Sequence, residues 1–259
     1  HIGTLTGDVN VGDIGHIAVD PQNRETTKHN HSATHILHEA LRRVLGEHVA
    51  QKGQMVDGER IRFDISHGAA ITRGELAKVE DEVNAIIQQN SEAVTQLMSP
   101  DEAIKAGALA LFGEKYGDAV RVLSMGDGYS VELCGGTHVE RTGDIGMLKI
   151  ISESGIAAGV RRIEALTGEA ALAACRSSEQ QLTELAGQLK TSRDSLTAKV
   201  QQLLDSSRQQ EKELSQLKAK LASSKGSDLA EQAEDIGGVK VLAASIEGAD
   251  GKSLRDTVD

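Results

Sequence analysis

The sequence predicts an α+β domain followed by a helical arm, and three observations carry that prediction. Glycine-punctuated β-type runs alternate with helical runs over residues 1–166. From residue 167 the composition shifts to Gln, Lys, Glu, Ser and Leu, with apolar residues repeating at heptad spacing. With no Trp, two Tyr and two Phe in 259 residues, the core must be built from Leu, Ile, Val and Ala. That length gives one large domain or two smaller ones with a real core.

In chain order, His16 to Val19 reads as a β-type run, and His31 to Leu45 as a helix capped by Asn30 or Ser32. That cap would put His31 and His35 near a helix start. Arg60 to Ile65 reads as a strand, and Gly74 to Gln89 as a helix capped by Thr72, with Glu75 in its first turn. Ala119 to Leu123, Tyr129 to Leu133 and Met147 to Ser152 read as strands, which puts Cys134 at a strand end. Within 167–225, Leu182, Leu189, Leu196, Leu203 and Leu217 share one heptad position, and Ala186, Val200, Leu214 and Leu221 its partner. Arg193, Ser207 and Gln210 interrupt this seam, and Thr191 to Ser195 suits a turn with a fresh cap. The arm is therefore either an intrachain helical hairpin or a coiled coil between two copies, with Cys175 a packing residue. After a Lys-Gly-Ser-Asp linker, residues 226–259 carry one apolar β-type run from Gly237 to Ser245, too short a piece to bury a core alone.

Lys and Arg number 28 against 39 Asp and Glu, so a general nucleic-acid coat is excluded and any RNA contact must be local. Cys134 and Cys175 form no disulfide framework, which fits a reducing cytoplasm. No apolar run approaches membrane-spanning length and no signal peptide opens the chain. A first residue of His1 rather than Met suggests a fragment.

The chemistry lies in two spacings. His31 and His35 stand at i and i+4, so a helix projects both imidazoles from one face. Cys134 and His138 repeat that spacing across Gly135 and Gly136, residues suited to backbone folding tightly around an ion. Two or three imidazoles and one thiolate make a borderline-soft set that favours Zn²⁺. Against this stands the plain reading of an isolated HxxxH as chance and a single cysteine as a small buried hydrophobe; two equal pairs together favour the metal.

Those motifs sit inside longer runs: NHSATHILHEAL (30–41), VAQKGQMV (49–56), RFDISH (62–67), SVELCGGTHV (130–139) and GIAAGVRRIEALTG (155–168). In order and spacing they resemble the editing region of alanyl-tRNA synthetases. Threonyl-tRNA synthetases and free-standing alanyl-editing proteins share the HxxxH and CxxxH pairs, but CGGTH followed by AGVRRIEALTG and a helical arm is closer to the alanyl enzymes. The resemblance implies an editing domain at 1–166 with a mixed sheet, helices and part of a small N-terminal β-barrel. It further implies a helical linker or coiled coil at 167–225, and the start of a C-terminal tRNA-contacting domain at 226–259.

It also implies an activity: hydrolysis of the ester of tRNA(Ala) mischarged with serine or glycine, at a zinc-associated site. His31, His35, Cys134 and His138 are the implied ligands, and His31 or Cys134 could instead face the substrate. Zinc could activate water or orient the amino acid's hydroxyl and amino groups, and both roles stay open. Thr34 and Gln51 are the implied pocket residues, with Cys134 as a third catalytic candidate. Lys52, Arg161 and Arg162 are the candidates for the tRNA acceptor end. Asp64 could orient a ligand histidine or simply be solvated, and His67 reads as a strand-end structural group. Departures from the family are the missing Gly-rich opening of the barrel and Gln54 where a small Ser is usual. Nothing resembles the class II aminoacylation core, so ATP-dependent charging is not expected of these residues. The alternatives are a free-standing trans-editing deacylase, and a non-catalytic tRNA-binding or dimerisation piece with a structural zinc.

Overall fold

A computed structural model describes residues 6–8, 10–109, 119–230, 234–241 and 243, with side chains for all of these except 222–230. The chain forms two compact units, His1–Ser178 and Glu179–Asp259. In the first, the elements are α1 (Pro21–Leu45), β1 (Gln51–Val56), β2 (Ile61–Ser66), α2 (Arg73–Gln89), β3 (Val94–Met98) and α3 (Pro100–Lys105). They are followed by β4 (Val120–Met125), β5 (Ser130–Leu133), a 3-10 turn (Thr142–Ile145), β6 (Leu148–Ala157) and β7 (Val160–Thr167). The helix α4 (Gly168–Gln188) begins in this unit, and a 3-10 turn (Arg193–Ser195), α5 (Leu196–Ala230), β8 (Glu234–Ile236) and β9 (Val239–Val241) follow.

The strands make two antiparallel sheets in the first unit, ordered β1-β2-β7-β6 and β3-β4-β5. In β2 the alternation is strict: Ile61, Phe63 and Ile65 are fully buried while Arg62, Asp64 and Ser66 face the other way. Ile61, Phe63 and Ile65 share one core cluster with Ile36, Leu37 and Leu41 of α1 and Val79, Val83 and Ile87 of α2. The period of 2 places β4 between two cores. Its Leu123 and Met125 join the main cluster, whereas Val120 and Val122 join a second one with Ala103 and Leu133. Residues 32–38 of α1 are buried without a break, so the middle of this helix is enclosed rather than amphipathic.

Several elements differ from the sequence expectations. The first helix starts ten residues earlier, because Asp20 accepts from the backbone N–H groups of Gln22 and Asn23 and Pro21 follows it at the first helical position. Asn30 and Ser32 are consequently interior residues, not caps, and His31 and His35 lie mid-helix. Asn30 donates to the Asp57 carbonyl at 2.8 Å and accepts from the Thr167 hydroxyl at 2.7 Å. His16 to Val19 forms no strand: Ile17 is 93% exposed, with no partner strand beside it among the described residues. The Thr72 cap is present as a full capping box with Glu75. Strands β1, β3 and β7 add to the expected set, since QKGQMV and VRRIEALT break the apolar alternation with Gly53 and with Arg161 and Arg162.

In the second unit α4 ends at Gln188 and α5 starts at Leu196, so the helical stretch is interrupted where Thr191 to Ser195 suggested a turn. The seam residues Leu182, Leu203, Leu214, Leu217 and Leu221 are exposed. The late β-type run is represented by β9, paired with β8; Leu242 and residues 244–259 lie outside the described residues.

Candidate metal centre

Two elements bring the site together. On α1, residues 31, 35 and 38 follow i, i+4, i+7 and form one stripe of histidines. On the strand side, Glu132 pairs across the sheet with Leu123, which faces the main core, so Glu132 faces it too. Glu132 is 5% exposed. Cys134 follows immediately after β5, and the loop through Gly135 and Gly136 returns His138 to the same place. Val139 N–H donates to the Ser32 hydroxyl at 3.0 Å and fastens that loop to α1.

One ligand atom from each of His31, His35, Cys134 and His138 lies within 4.8 Å of the others. Cys134 Sγ is 3.6 Å from His31 Nε2 and 3.4 Å from His138 Nε2, and His35 Nε2 is 3.2 Å from His138 Nε2. Bonds of about 2.0–2.1 Å to nitrogen and about 2.3 Å to sulfur in a tetrahedron imply ligand separations of about 3.3 Å for N···N and about 3.6 Å for N···S. The three spacings match those expected of atoms that share an ion. Protein hydrogen bonds do not satisfy the whole cluster: His138 Nδ1 is buried without a partner among the described residues. The donor set fits zinc.

Gly136 is needed for space rather than for an unusual backbone angle. A Cβ there would lie 2.1 Å from His31 Cε1. Its N–H points at Cys134 Sγ at 3.4 Å, a contact that favours thiolate.

The electrostatics suit a cation. Burial opposes ionisation of Cys134, but the imidazoles of His138, His31 and His35 outweigh it and bring its thiol down to about 3. Burial likewise opposes ionisation of Glu132, and hydrogen bonds from His35 Nδ1 at 2.5 Å and His38 Nδ1 at 2.8 Å hold its carboxyl at about 2. A thiolate and a buried carboxylate together balance a divalent ion. Without the ion, burial pulls the His35 imidazole down while Cys134 and Glu132, one on either side, raise it to about 9. Binding a metal at its Nε2 would expel that proton.

The remaining predicted site residues are placed as follows. Thr34 is buried and its hydroxyl donates to the Asn30 carbonyl at 2.8 Å. Gln51 is half-buried at the head of β1, opposite Ile65 and hence on the α1 side of the sheet, with no side-chain hydrogen bond among the described residues. Lys52 is exposed at the β1 bulge. Arg161 and Arg162 point to opposite faces of β7, and each has an acidic partner: Glu153 for Arg161, and Asp64 for Arg162 at 2.7 and 2.8 Å. Asp64 thus serves an arginine, not a ligand histidine. The carboxylate beside the histidines is Glu132, which with His38 escaped the sequence reading. The i, i+4, i+7 histidines and the alternation that turns residues 132 and 134 to one side were the available signals. His67 stacks on His48, 2.9 Å away between ring nitrogens.

Known proteins match this chain closely. Residues 120–164 match the family described as the threonyl and alanyl tRNA synthetase second additional domain. Alanine–tRNA ligases of Nitrosococcus oceani and Saccharophagus degradans are each 56% identical over the whole chain, and that of Nitrosomonas eutropha is 54% identical. The chain spans 30% of the length of each.

Proposed function

The chain belongs to the alanyl-tRNA synthetase family and carries its second additional domain, and on that footing we propose that residues 1–166 hydrolyse the ester of Ser-tRNA(Ala) or Gly-tRNA(Ala). The observation that carries the proposal is the convergence of His31, His35, Cys134 and His138 on one point at metal-ligand spacings. Those four residues would hold a zinc ion, which would supply Lewis acidity for polarising the ester or orienting the amino acid's polar groups.

The chain's own groups do the rest. Gln51, its amide free of protein partners among the described residues, orients the substrate or the attacking water. Thr34 has spent its proton on the Asn30 carbonyl, so it offers a small amino acid only an acceptor lone pair. Cys134 contributes negative charge that draws the substrate's α-ammonium. Lys52 is the exposed cation for the acceptor-end phosphates; Arg161 and Arg162 join it by exchanging their carboxylate partners for phosphate. Residues 167–225 act as a linker arm, with a second copy as its partner, and 226–259 as the start of a tRNA-contacting domain. No described helix is long and apolar enough to cross a membrane. Separately, the likeness to alanine–tRNA ligases supports a cytoplasmic location as part of this proposal.

Purified protein, shown to be folded and zinc-loaded, should release serine from Ser-tRNA(Ala) faster than buffer does. Hydrolysis no faster than buffer leaves the non-catalytic reading, a tRNA-binding piece with structural zinc. His35→Ala and Cys134→Ala should each lose stoichiometric zinc, and retention in both would remove the ligand assignment.

A further inference from the structure

We propose that Glu132 is the positioning residue of the centre: one buried carboxylate fixes the orientation and tautomer of His35, while His38 anchors the carboxylate from its other oxygen. The inference rests on the metal reading above and concerns only residues of this chain. A carboxylate accepts and cannot donate, so both histidines must present Nδ1–H to it, at 2.5 and 2.8 Å. With Nδ1–H committed to Glu132, it is Nε2, facing His138, that gives up its proton and offers its lone pair when a metal binds, the tautomer a metal ligand requires.

His38 has no place in the ligand set, yet it is 6% exposed and its Nε2 lacks a partner among the described residues. Its ring sits edge-on against Phe63, 5.4 Å between centroids, which fixes it from the sheet side. Retaining a buried histidine whose only hydrogen bond among the described residues goes to Glu132 has a clear use. A carboxylate held at one oxygen can swing; held at both, it cannot. A buried carboxylate is tolerated only when its oxygens are satisfied, and these two contacts satisfy one oxygen each. The ligand is thus aimed from β5 through His35, and the aim is set from Phe63 through His38.

The test compares metal affinity in wild type, Glu132→Gln, Glu132→Asp and His38→Ala by competition of Zn²⁺ against a chromophoric chelator, with Co²⁺ visible spectra as the second readout. In Glu132→Gln the amide that replaces the carboxylate must turn its NH₂ to one histidine, reversing that ring's tautomer. Affinity should fall about 10–100-fold in Glu132→Gln, with altered Co²⁺ bands, while the apo far-ultraviolet circular dichroism is unchanged. Glu132→Asp should recover part of the loss, and His38→Ala should loosen binding several-fold. A folded Glu132→Gln with wild-type affinity and Co²⁺ bands overturns the proposal. If Glu132→Gln does not fold, His38→Ala decides: affinity equal to wild type overturns it, and a several-fold loss with shifted bands supports it. Wild-type protein that binds neither ion removes the metal reading itself, and this inference with it.

Discussion

At Gly136 the place of a side chain is taken by His31. A Cβ there would meet the imidazole at 2.1 Å, so Gly136→Ala should push His31 out of the cluster. The expected result is a loss of zinc affinity of at least about tenfold with little change in apo stability, read by chelator competition and thermal melts. On the opposite face of the sheet, the Arg162 guanidinium holds the Asp64 carboxyl below its ordinary value. The pair therefore contributes stability above about pH 4, where a free carboxylate is ionised, and loses it as pH falls through the depressed value. Asp64→Asn should flatten that part of the acid limb in a pH series of denaturant melts. The four ligand candidates were legible because both motifs are compact in sequence. Glu132 and His38 were not, because a glutamate in a strand and a histidine in an apolar helix stretch acquire meaning only when β5 is laid beside α1.

Among the elements, those with a local signal were the readable ones. α2 announces itself through Thr72 and Glu75, and Thr72→Ala should cost about 1 kcal/mol, lowering the melting temperature by about 2–4 °C for a unit of this size. The start of α1 carried an equally local signal in Asp20 and Pro21, masked by Asn30 and Ser32, which look like caps and serve instead as buried ties to Asp57, Thr167 and Val139. β7 pairs with both β2 and β6 and so holds the four-stranded sheet together, yet Arg161 and Arg162 side by side disguise it. Its register comes from those neighbours, which no local window contains. In α1, Leu37 is fully buried and lies in the same helical turn as His35, so Leu37→Ala should cost about 2–5 kcal/mol in denaturant melts.

For the molecule as a whole, the fold class and the division into a mixed domain and a helical stretch were readable from composition and period. Assigning both spacings to one ion already brought α1 to the end of β5 across the 103 residues between His35 and His138; the strand register that turns Glu132 toward α1 was not readable. Binding across that gap links metal occupancy to global stability. Zinc at about 1,000 times its dissociation constant should stabilise the first unit by about 4 kcal/mol. Its thermal transition should rise accordingly in differential scanning calorimetry, and the rise should shrink with falling pH as protons compete for the imidazoles and the thiolate. The same separation imposes an order on synthesis. At about 5–20 residues per second, the ribosome delivers the histidine pair about 5–20 s before Cys134 and His138. During that interval the nascent chain carries a bare two-imidazole half-site, which any imidazole-loving cation can occupy weakly. If the centre holds zinc, only the late arrival of the thiolate would make that choice, and metal selection would belong to the end of folding rather than its beginning.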